Sequence, residues 1–387
     1  MNALKITSHI IPASSIRRLY GNNGGQLLIA VNSYDPIEGP GFEKETSCEK
    51  TTIIFAAANG FHKEIYEPVI NGLNEKRERW NGGTMWALDG SNQGDSAVAN
   101  QDILPDSYNW SDLSRDILQV IDYFNIKGPI VGVGHSLGGC AILMAEILRP
   151  GTFSSLVAID PVLYPYKSKE FAISSFQLAL KRKDTWQNRD AAKESFLKHN
   201  FFKSWDPEVL NIHIKYGLRD LPSGEVTLKC PKIQEHYTFT HDSDTLIETF
   251  QRLHEIQCPV LFITGKKSTT INPLDLALFK ASRCKHGDLI ILDTGHLVVM
   301  EKPKETGMSI TGSDLSRVIF YTFSLQFLLT FENKPIAKEI LYFICRQQSK
   351  ESCEKNSSVC DGIIRNAIYE EGNNEKGKNK QIMESKL

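Results

Sequence analysis

The chain predicts an α/β fold in which a mostly parallel β-sheet carries helices on both faces. Short apolar segments that read as strands alternate along the sequence with longer segments of helical character. One of these strands, 130–133, passes through a glycine-rich turn directly into the helix-forming run 141–145. Parallel strands need such crossovers, because each strand must return to the same edge of the sheet before the next one starts.

The predicted elements follow this alternation from the N-terminus onward. Strands are expected near 26–32, 51–57, 84–89, 129–134, 155–160, 258–264 and 288–293, and helices near 64–79, 111–124, 137–149, 273–283 and 336–348. The stretch between Asp160 and Cys258 is too long for one crossover, so we expect a helical lid inserted at 165–250. The sheet core would then comprise 1–164 and 251–350, followed by a poorly ordered tail, 351–387.

The segment Gly134-His135-Ser136-Leu137-Gly138 matches the pattern G-x-S-x-G, which is typical of the nucleophile turn of α/β-hydrolases. Its glycines allow a sharp strand-to-helix turn with a strained backbone at Ser136, because only small neighbours fit there. The helix that begins at Leu137 directs its first N–H groups and the positive end of its dipole at the group that Ser136 attacks. Ser136 is therefore the predicted nucleophile.

A serine hydroxyl is a poor nucleophile at neutral pH and needs a histidine base. His296 follows the predicted strand 288–293 at the turn Thr294-Gly295-His296, downstream of the serine as this fold requires. We predict that His296 is the general base. His135 lies inside the nucleophile turn and is expected to be a core residue without a chemical role.

Together these motifs resemble one group within the α/β-hydrolase superfamily. The matching segments are Asn59 to Glu64 with Tyr66-Glu67-Pro68, Asp89 to Ser96, Gly134 to Gly139, Asp160-Pro161 and Gly295-His296. They are similar to the peroxisomal lipase group of yeasts and to related fungal toxin-biosynthesis hydrolases, over about residues 20–165 and the segments 258–273 and 288–303. The resemblance implies acyl-ester hydrolysis in the peroxisome and does not identify the ester.

The acid of the triad departs from the commonest pattern of α/β-hydrolases. Most place an aspartate a few residues after the glycine that follows strand 258–264, where this chain has Gly265-Lys266-Lys267-Ser268. Asp275 falls in the next predicted helix, which is too late. Asp160 ends the strand 155–160 at 24 residues after Ser136, the spacing that haloalkane dehalogenases use for their acid. We predict Asp160 as the acid, the alternative being a turn aspartate before proline.

An oxyanion hole requires two backbone donors that point at the developing negative charge. Leu137, just after the nucleophile, is the first predicted donor, and Phe61 of the turn Asn59-Gly60-Phe61 is the second. Most relatives have His-Gly at this turn, but a backbone donor survives the change to asparagine. Asn59 is expected to hold the loop through side-chain hydrogen bonds. The loop 89–96 is expected to shape the site without taking part in the chemistry.

The tripeptide Ser385-Lys386-Leu387 is the address that the peroxisomal import receptor reads. The preceding stretch, 370–384, is polar and cannot bury enough apolar surface to fold, so it should leave the tripeptide accessible. We therefore expect a location in the peroxisomal matrix. The first residues lack the sustained apolar run of a secretory signal.

Composition narrows the class of protein. The 387 residues are 41% hydrophobic, as in an ordinary globular chain, and the net charge of −2 gives no reason to expect a nucleic-acid partner. Eight dispersed cysteines form neither a CxxC pair nor a cluster with histidines at metal-binding spacing, so reduced thiols and no metal are expected. No dinucleotide or phosphate-loop fingerprint is visible, and no cofactor is expected.

Residues 307–335 fit no predicted element. They separate Glu301-Lys302-Pro303 from the last predicted helix and include an apolar run, 318–331, which is short for a membrane span and apolar on all faces. Three interpretations remain open: a buried helix, a peripheral contact with a membrane surface, or translated non-coding sequence.

The predicted reaction is a two-step acyl transfer from an acyl ester or lipid to water through Ser136, His296 and Asp160. One alternative is an acyl-CoA thioesterase that uses the same residues, with Lys181-Arg182-Lys183 near the CoA phosphates. Another is a non-catalytic binding protein on a hydrolase fold. Epoxide hydrolysis is disfavoured, because that reaction in this fold needs a carboxylate nucleophile where this chain has Ser136.

Overall fold

The computed structural model describes residues 3–17, 25–37, 49–166, 179–240, 244–268, 273–311 and 319–320. They all belong to one compact unit, Met1–Thr322. Several predictions fall outside these residues: the helix 336–348, the tail with its tripeptide, and most of the segment 307–335.

Twelve strands in two sheets are found among the described residues. They are β1 (Leu4–Pro12), β2 (Leu28–Pro36), β3 (Thr51–Ala56), β4 (Gly82–Leu88), β5 (Ile130–His135), β6 (Ser155–Ile159), β7 (Thr185–Trp186), β8 (Leu218–Asp220), β9 (Val226–Leu228), β10 (Val260–Gly265), β11 (Gly287–Leu292) and β12 (Ile319–Phe320). The larger sheet has nine strands in the order β1-β2-β4-β3-β5-β6-β10-β11-β12. Its six strands from β4 to β11 run parallel to one another, whereas β1, β2 and β12 pair antiparallel.

Twelve α-helices surround or extend from these sheets in the described ranges. They are α1 (Glu67–Glu75), α2 (Gly94–Ala99), α3 (Trp110–Tyr123), α4 (Leu137–Leu148), α5 (Arg189–Leu197), α6 (Asn200–Lys203), α7 (Pro207–Tyr216), α8 (Lys232–Thr240), α9 (Asp244–Arg252), α10 (Leu274–Arg283), α11 (Val298–Glu301) and α12 (Pro303–Ile310). Three 3₁₀-helices cover Lys63–Tyr66, Arg77–Trp80 and Leu253–Glu255.

The predicted fold class is confirmed, and each predicted strand appears within a few residues of its expected place. The edge strand β1 and the short helix α2 were not predicted. Strand β1 is half exposed, with Ile6 and Ile10 facing solvent, so it lacks the continuous apolar run that marks the central strands.

Burial on both faces explains why the central elements are so apolar. Strand β5 lies between β3 and β6, and every residue of α4 except the last is buried against the sheet. Gly132 of β5 leaves room for the side chain of Leu156 on the neighbouring strand β6, since a Cβ at Gly132 would lie 2.8 Å from that side chain. Because the central strands are parallel, the loops that follow them emerge at one edge of the sheet. That edge carries Asn59, Ser136, Asp160, Ser268 and His296.

The insertion between β6 and β10 contains a small antiparallel sheet, β7-β9-β8, as well as the expected helices. Its aromatic side chains Trp186, Phe196 and Trp205 are buried, and the ring of Trp205 lies 5.6 Å from that of Phe61 in the core. Helix α9 packs on the core rather than within the insertion, and the thiol of Cys140 in α4 reaches the hydroxyl of Thr249 at 3.6 Å. The core therefore resumes near 244.

In the described part of the chain, none of the helices has the length and apolar character that a membrane crossing requires.

Candidate active site

Ser136 occupies the turn between β5 and α4 with a left-handed backbone, φ 56° and ψ −110°. This conformation is costly for a residue with a side chain and persists only where the surroundings impose it. Here they do, because the turn is packed too tightly for anything but glycine on either side. A Cβ at Gly134 would lie 2.2 Å from the carbonyl oxygen of Gly138, and a Cβ at Gly138 would lie 2.0 Å from that of Ala56.

The structure brings the three predicted triad residues together. Ser136 Oγ lies 3.0 Å from Nε2 of His296, and the other ring nitrogen, Nδ1, lies 2.6 Å from Oδ2 of Asp160. The carboxylate accepts only, so Nδ1 carries a hydrogen and Nε2 of the neutral ring presents its lone pair to the serine hydroxyl. Three strand ends, those of β5, β6 and β11, thus form one hydrogen-bonded chain.

Asp160 is held as a carboxylate. Burial alone would raise the pKa of this fully buried group, but hydrogen bonds from His296, Ser268 and Thr264 bring the pKa below its usual value. The Gly265 N–H donates to the same carboxylate at 3.2 Å. Ser268 and Thr264 belong to the strand end where relatives were expected to carry their acid. That strand end therefore supports the acid in this chain instead of providing it.

The described residues contain no group of three or more histidine, cysteine, aspartate or glutamate side chains arranged to hold a metal ion. A strained serine in hydrogen-bonding contact with a histidine–aspartate pair is the arrangement of a nucleophile with its base. Comparison with known proteins agrees with this geometry. A model of the alpha/beta hydrolase family matches residues 53–306, which include all three side chains.

This chain belongs to the alpha/beta hydrolase family. Among curated proteins, it is 32% identical over 228 residues to a type I acyl-CoA thioesterase from Penicillium roqueforti, covering 56% of this chain and 51% of that protein. It is 27% identical over 213 residues to an abhydrolase domain-containing protein from Alternaria alternata, covering 46% of this chain and 80% of that one. The hydrolase thus spans about half the length of the thioesterase that it matches.

Solved structures share its fold. A peroxisomal alpha-beta-hydrolase from Saccharomyces cerevisiae superposes with a TM-score of 0.70 at 19% identity, covering 91% of this chain and 99% of that chain. The thioesterase domain from the curacin biosynthetic pathway superposes with a TM-score of 0.58 at 15% identity, covering 81% and 100%. These relatives confirm the predicted resemblance to fungal and yeast members of the family.

The two predicted oxyanion donors lie after neighbouring strands, Leu137 after β5 and Phe61 after β3. Leu137 is the first residue of α4, so its N–H has no acceptor within the helix. Phe61 lies on the loop that follows β3, where its N–H donates to the carbonyl of Ala58 at 3.2 Å and closes a turn. Gly60 takes φ +84° in this turn, a conformation that favours glycine. The part of both donors in catalysis stays a prediction.

Asn59 holds the loop through its side chain, as its replacement of histidine suggested. Its Nδ2 donates to the Glu235 carbonyl of α8 at 3.0 Å, and its Oδ1 accepts from Nε2 of Gln93 at 2.8 Å. Oε1 of Gln93 in turn accepts from the Gly60 N–H at 2.7 Å. Gln93 belongs to the loop 89–96, which therefore positions the turn beside Ser136.

A cluster of buried charges lies where the loop that follows β3 meets the loop 89–96. Lys63 forms ion pairs with Glu64, Asp89 and Asp95, and its backbone N–H donates to Asp89 at 2.6 Å. Burial alone would lower the pKa of Lys63, but the three carboxylates raise it, so the lysine stays charged. Asp89, which directly follows β4, thereby connects that strand to Lys63 and so to the loop that follows β3.

Two further residues near the triad were not assigned a role from the sequence. His135 was expected in the core, and it is fully buried, but its Nε2 donates to the backbone carbonyl of His296 at 2.8 Å. Burial lowers the pKa of His135 to about 3, so the ring remains neutral beside His296. Lys280 of α10 is also fully buried and donates to the Pro161 carbonyl at 2.7 Å, next to Asp160. The signal in the sequence that could have pointed to Lys280 is a lysine among the apolar residues of a predicted helix.

Proposed function

We propose that this hydrolase cleaves acyl esters by a serine mechanism in which Ser136, His296 and Asp160 form the catalytic triad. The observation that carries the proposal is the unbroken chain of contacts from Ser136 Oγ through both ring nitrogens of His296 to Asp160. A serine hydroxyl with this base and this orienting carboxylate is activated for attack on a carbonyl carbon.

In the first step, Ser136 Oγ attacks the substrate carbonyl carbon while Nε2 of His296 takes the hydroxyl proton. The imidazolium that forms is stabilised by the carboxylate of Asp160 at 2.6 Å from Nδ1. The N–H groups of Leu137 and Phe61 receive the negative oxygen of the tetrahedral intermediate, for which the Phe61 N–H exchanges its 3.2 Å bond to the Ala58 carbonyl. When the intermediate collapses, the bond to the leaving alcohol breaks and His296 returns the proton to its oxygen.

In the second step, water attacks the acyl group now bound to Ser136. His296 again takes the proton, this time from the water, and the second tetrahedral intermediate releases the carboxylic acid. The serine oxygen recovers its proton from His296. The cycle balances without a cofactor, since water supplies the oxygen of the product acid and the proton of the alcohol.

A thioester is the second candidate substrate. The same residues cleave a carbon–sulfur bond if the leaving group is a thiol, and the relatives from Penicillium are named acyl-CoA thioesterases. In this structure Arg182 of the basic run is ion-paired with Glu235, while Lys181 and Lys183 are exposed. In the thioesterase proposal, Lys181 and Lys183 would form the ion pairs with the CoA phosphates.

The first experiment measures hydrolysis of two matched substrate series by the purified full chain: p-nitrophenyl esters from acetate to palmitate, and acyl-CoA thioesters of the same chain lengths. Ser136→Ala and His296→Ala are assayed beside the wild type, and a fluorophosphonate probe reports whether Ser136 reacts as a nucleophile. We expect turnover of the wild type, background rates for both variants, and probe labelling that Ser136→Ala abolishes.

Each outcome decides between the candidates. Higher kcat/KM on the ester series supports the esterase, and higher kcat/KM on the CoA series replaces it with the thioesterase. Turnover that survives Ser136→Ala contradicts the mechanism. If the wild type neither turns over either series nor reacts with the probe, the non-catalytic binding protein becomes the better description.

We further propose that the hydrolase acts in the peroxisome. Support comes from the tripeptide Ser385-Lys386-Leu387, which the import receptor would bind, and from the resemblance to peroxisomal relatives. A fluorescent protein fused to the N-terminus should colocalise with a peroxisomal marker and become diffuse when Leu387 is changed to Asp. A diffuse wild-type fusion would contradict the proposed location.

A further inference from the structure

The oxyanion loop, residues 58–62, is held mainly by side chains that are distant in sequence. Within the loop, the turn bond from Phe61 to Ala58 is long, at 3.2 Å. The shorter bonds come from outside: Gln93 accepts from the Gly60 N–H at 2.7 Å and donates to Asn59 at 2.8 Å. Both amide side chains are buried, at 7% exposure for Asn59 and 3% for Gln93. The peptide between Asn59 and Gly60, which directly precedes the peptide that carries the Phe61 N–H, is therefore oriented by a pair of buried amides.

The amide pair ends on helix α8 of the inserted lid. Asn59 Nδ2 donates to the Glu235 carbonyl at 3.0 Å, so this helix terminates the hydrogen-bond chain that begins at the Gly60 N–H. A neighbouring amide, Asn92, donates to Thr238 one turn further along the same helix at 2.9 Å. The Glu235 carboxylate also covers Gly60, where an added Cβ would lie 3.1 Å from it.

Aromatic packing from a second lid segment covers the other side of the loop. The ring of Phe61 lies 5.6 Å from Trp205 and 5.8 Å from His213 of helix α7. His62 Nε2 lies 3.2 Å from Nδ1 of the same His213. Three residues of the loop, Asn59, Phe61 and His62, thus contact the lid.

We infer that Asn59 and Gln93 are positioning residues that set the oxyanion hole, with lid helix α8 as their fixed anchor. This inference rests on the proposed function, because it assigns the lid to the support of that same site. A buried amide that loses its partner costs free energy, so the chain from Glu235 to Gly60 has one favoured arrangement. Helix α8 then belongs to the scaffold that supports the site.

Two nearly isosteric substitutions break the chain at different bonds. Asn59→Asp removes the donor to the Glu235 carbonyl but keeps the acceptor for Gln93. Gln93→Glu removes the donor to Asn59 but keeps the acceptor for the Gly60 N–H. Asn59→Ser removes both bonds of Asn59 without placing a charge in the interior, so it remains informative if either acidic variant fails to fold.

Glu146 provides a matched control. It is a buried carboxyl, 2% exposed, that accepts from the N–H groups of Gly151 and Phe153 at 2.7 and 3.0 Å. These bonds involve neither the oxyanion loop nor the loop 89–96 that carries Gln93. Glu146→Gln is also nearly isosteric and leaves one buried N–H without its acceptor, at a place where the inference predicts no change in kcat.

We expect kcat of the three loop variants to fall by roughly ten- to a hundredfold with KM within about threefold of wild type, because one misplaced donor weakens transition-state binding alone. Affinity for a trifluoromethyl ketone, which forms the tetrahedral adduct, should fall by the same factor as kcat/KM. Affinity for the product carboxylic acid should change little. A merely structural effect would not separate these two ligands.

The two acidic variants, Asn59→Asp and Gln93→Glu, should recover part of their lost kcat at low pH. Protonation restores a hydrogen-bond donor to the introduced carboxyl, whose pKa burial raises. The ratio of variant to wild-type kcat should therefore rise as pH falls for Asn59→Asp and Gln93→Glu, and stay flat for Asn59→Ser.

If the loop variants lose thermal stability as Glu146→Gln does but keep wild-type kcat and ketone affinity, the inference is overturned. The proposed function fails separately, by absence of turnover and of ketone binding in the wild type itself.

Discussion

The nucleophile turn and the oxyanion loop follow neighbouring strands, β5 and β3, yet they are held in different ways. The turn at Ser136 is shaped largely by its own segment, where a Cβ at Gly134 would meet the Gly138 carbonyl, while the close approach of Gly138 to the Ala56 carbonyl adds a contact with β3. The oxyanion loop is shaped by Gln93 and by Glu235, which are 33 and 176 residues away from their loop partners. A local turn is therefore visible in five letters, whereas the loop depends on the assembled core and lid.

The same contrast applies to Asp160 and to the side chains that stabilise its carboxylate. Asp160 lies at the end of β6, but it is stabilised by Ser268 and Thr264 from the next strand over, β10. The carboxylate comes from the end of β6 and lies 2.6 Å from His296, while the end of β10 contributes two hydroxyl donors to it. Groups from different strands can act on one histidine here because the strand ends meet at one edge of the sheet.

The largest effect should come from breaking the local turn. In Gly138→Ala the new methyl group would lie about 2.0 Å from the Ala56 carbonyl oxygen, so β3 and α4 must separate. We expect activity to fall to background together with a clear loss of thermal stability. Gly72→Ala in α1, where nothing lies within 4 Å, is the matched control and should stabilise the fold by about 0.5–1 kcal/mol. Wild-type activity in Gly138→Ala would refute the tight turn.

Asp160→Asn should lower kcat by roughly 10⁴-fold while the protein stays folded, because the amide orients the wrong tautomer of His296. Asp275→Asn, at the rejected alternative on α10, should leave kcat unchanged. Measurement of kcat on the preferred substrate for both variants tests the assignment, and the opposite ranking would move the acid to Asp275.

Substitutions of His135 test whether its hydrogen bond to the backbone carbonyl of His296 positions the catalytic base. Glutamine places its amide nitrogen near the position of Nε2, so His135→Gln should keep the bond to the His296 carbonyl, whereas His135→Asn falls short. We expect kcat to drop by about ten- to a hundredfold in His135→Asn and far less in His135→Gln, since the base shifts by a fraction of an ångström. Equal losses in both variants would assign His135 to packing alone.

Ser268→Ala should have the smallest effect on catalysis and the clearest one on pH dependence. Hydrogen bonds hold the pKa of Asp160 below its usual value in the folded chain, so the ionisation of Asp160 contributes stability that is present above the unfolded pKa and is lost as pH falls through the folded pKa. Removing the Ser268 donor raises this pKa, and the midpoint of acid unfolding should move to higher pH. Urea unfolding at a series of pH values measures the shift; an unchanged midpoint would count against the hydrogen bond.

The positions of residues could be predicted wherever they depend on the residues' own segments. Ser136 and His296 were placed from glycine patterns beside apolar strands, and Asp160 from its spacing after Ser136; their catalytic roles stay predictions. The parallel sheet followed from the pattern of apolar segments, and the insertion between β6 and β10 from the length of that stretch. It missed strand β1, whose exposed side chains give a weak signal, and the small lid sheet β7-β9-β8, whose strands are two or three residues long.

Residues that support the site through space had no local signature. Gln93 and Ser268 are single polar residues in loops, and nothing in their neighbourhoods indicates that one holds Gly60 and the other Asp160. His135 was expected in the core, correctly, but its bond to the His296 carbonyl crosses 161 residues of sequence. Such contacts arise only when strand order is settled.

The sequence alone determined the fold class, the strained turn that presents Ser136, and which histidine and aspartate could reach it, because backbone sterics and the order of parallel strands act over a few residues or one crossover. The tertiary structure decided how that chemistry is supported. Whether Gln93 meets Asn59, and whether lid helix α8 receives Asn59, depends on packing between segments far apart in the chain, where hydrogen bonds form only among groups that the completed core brings together.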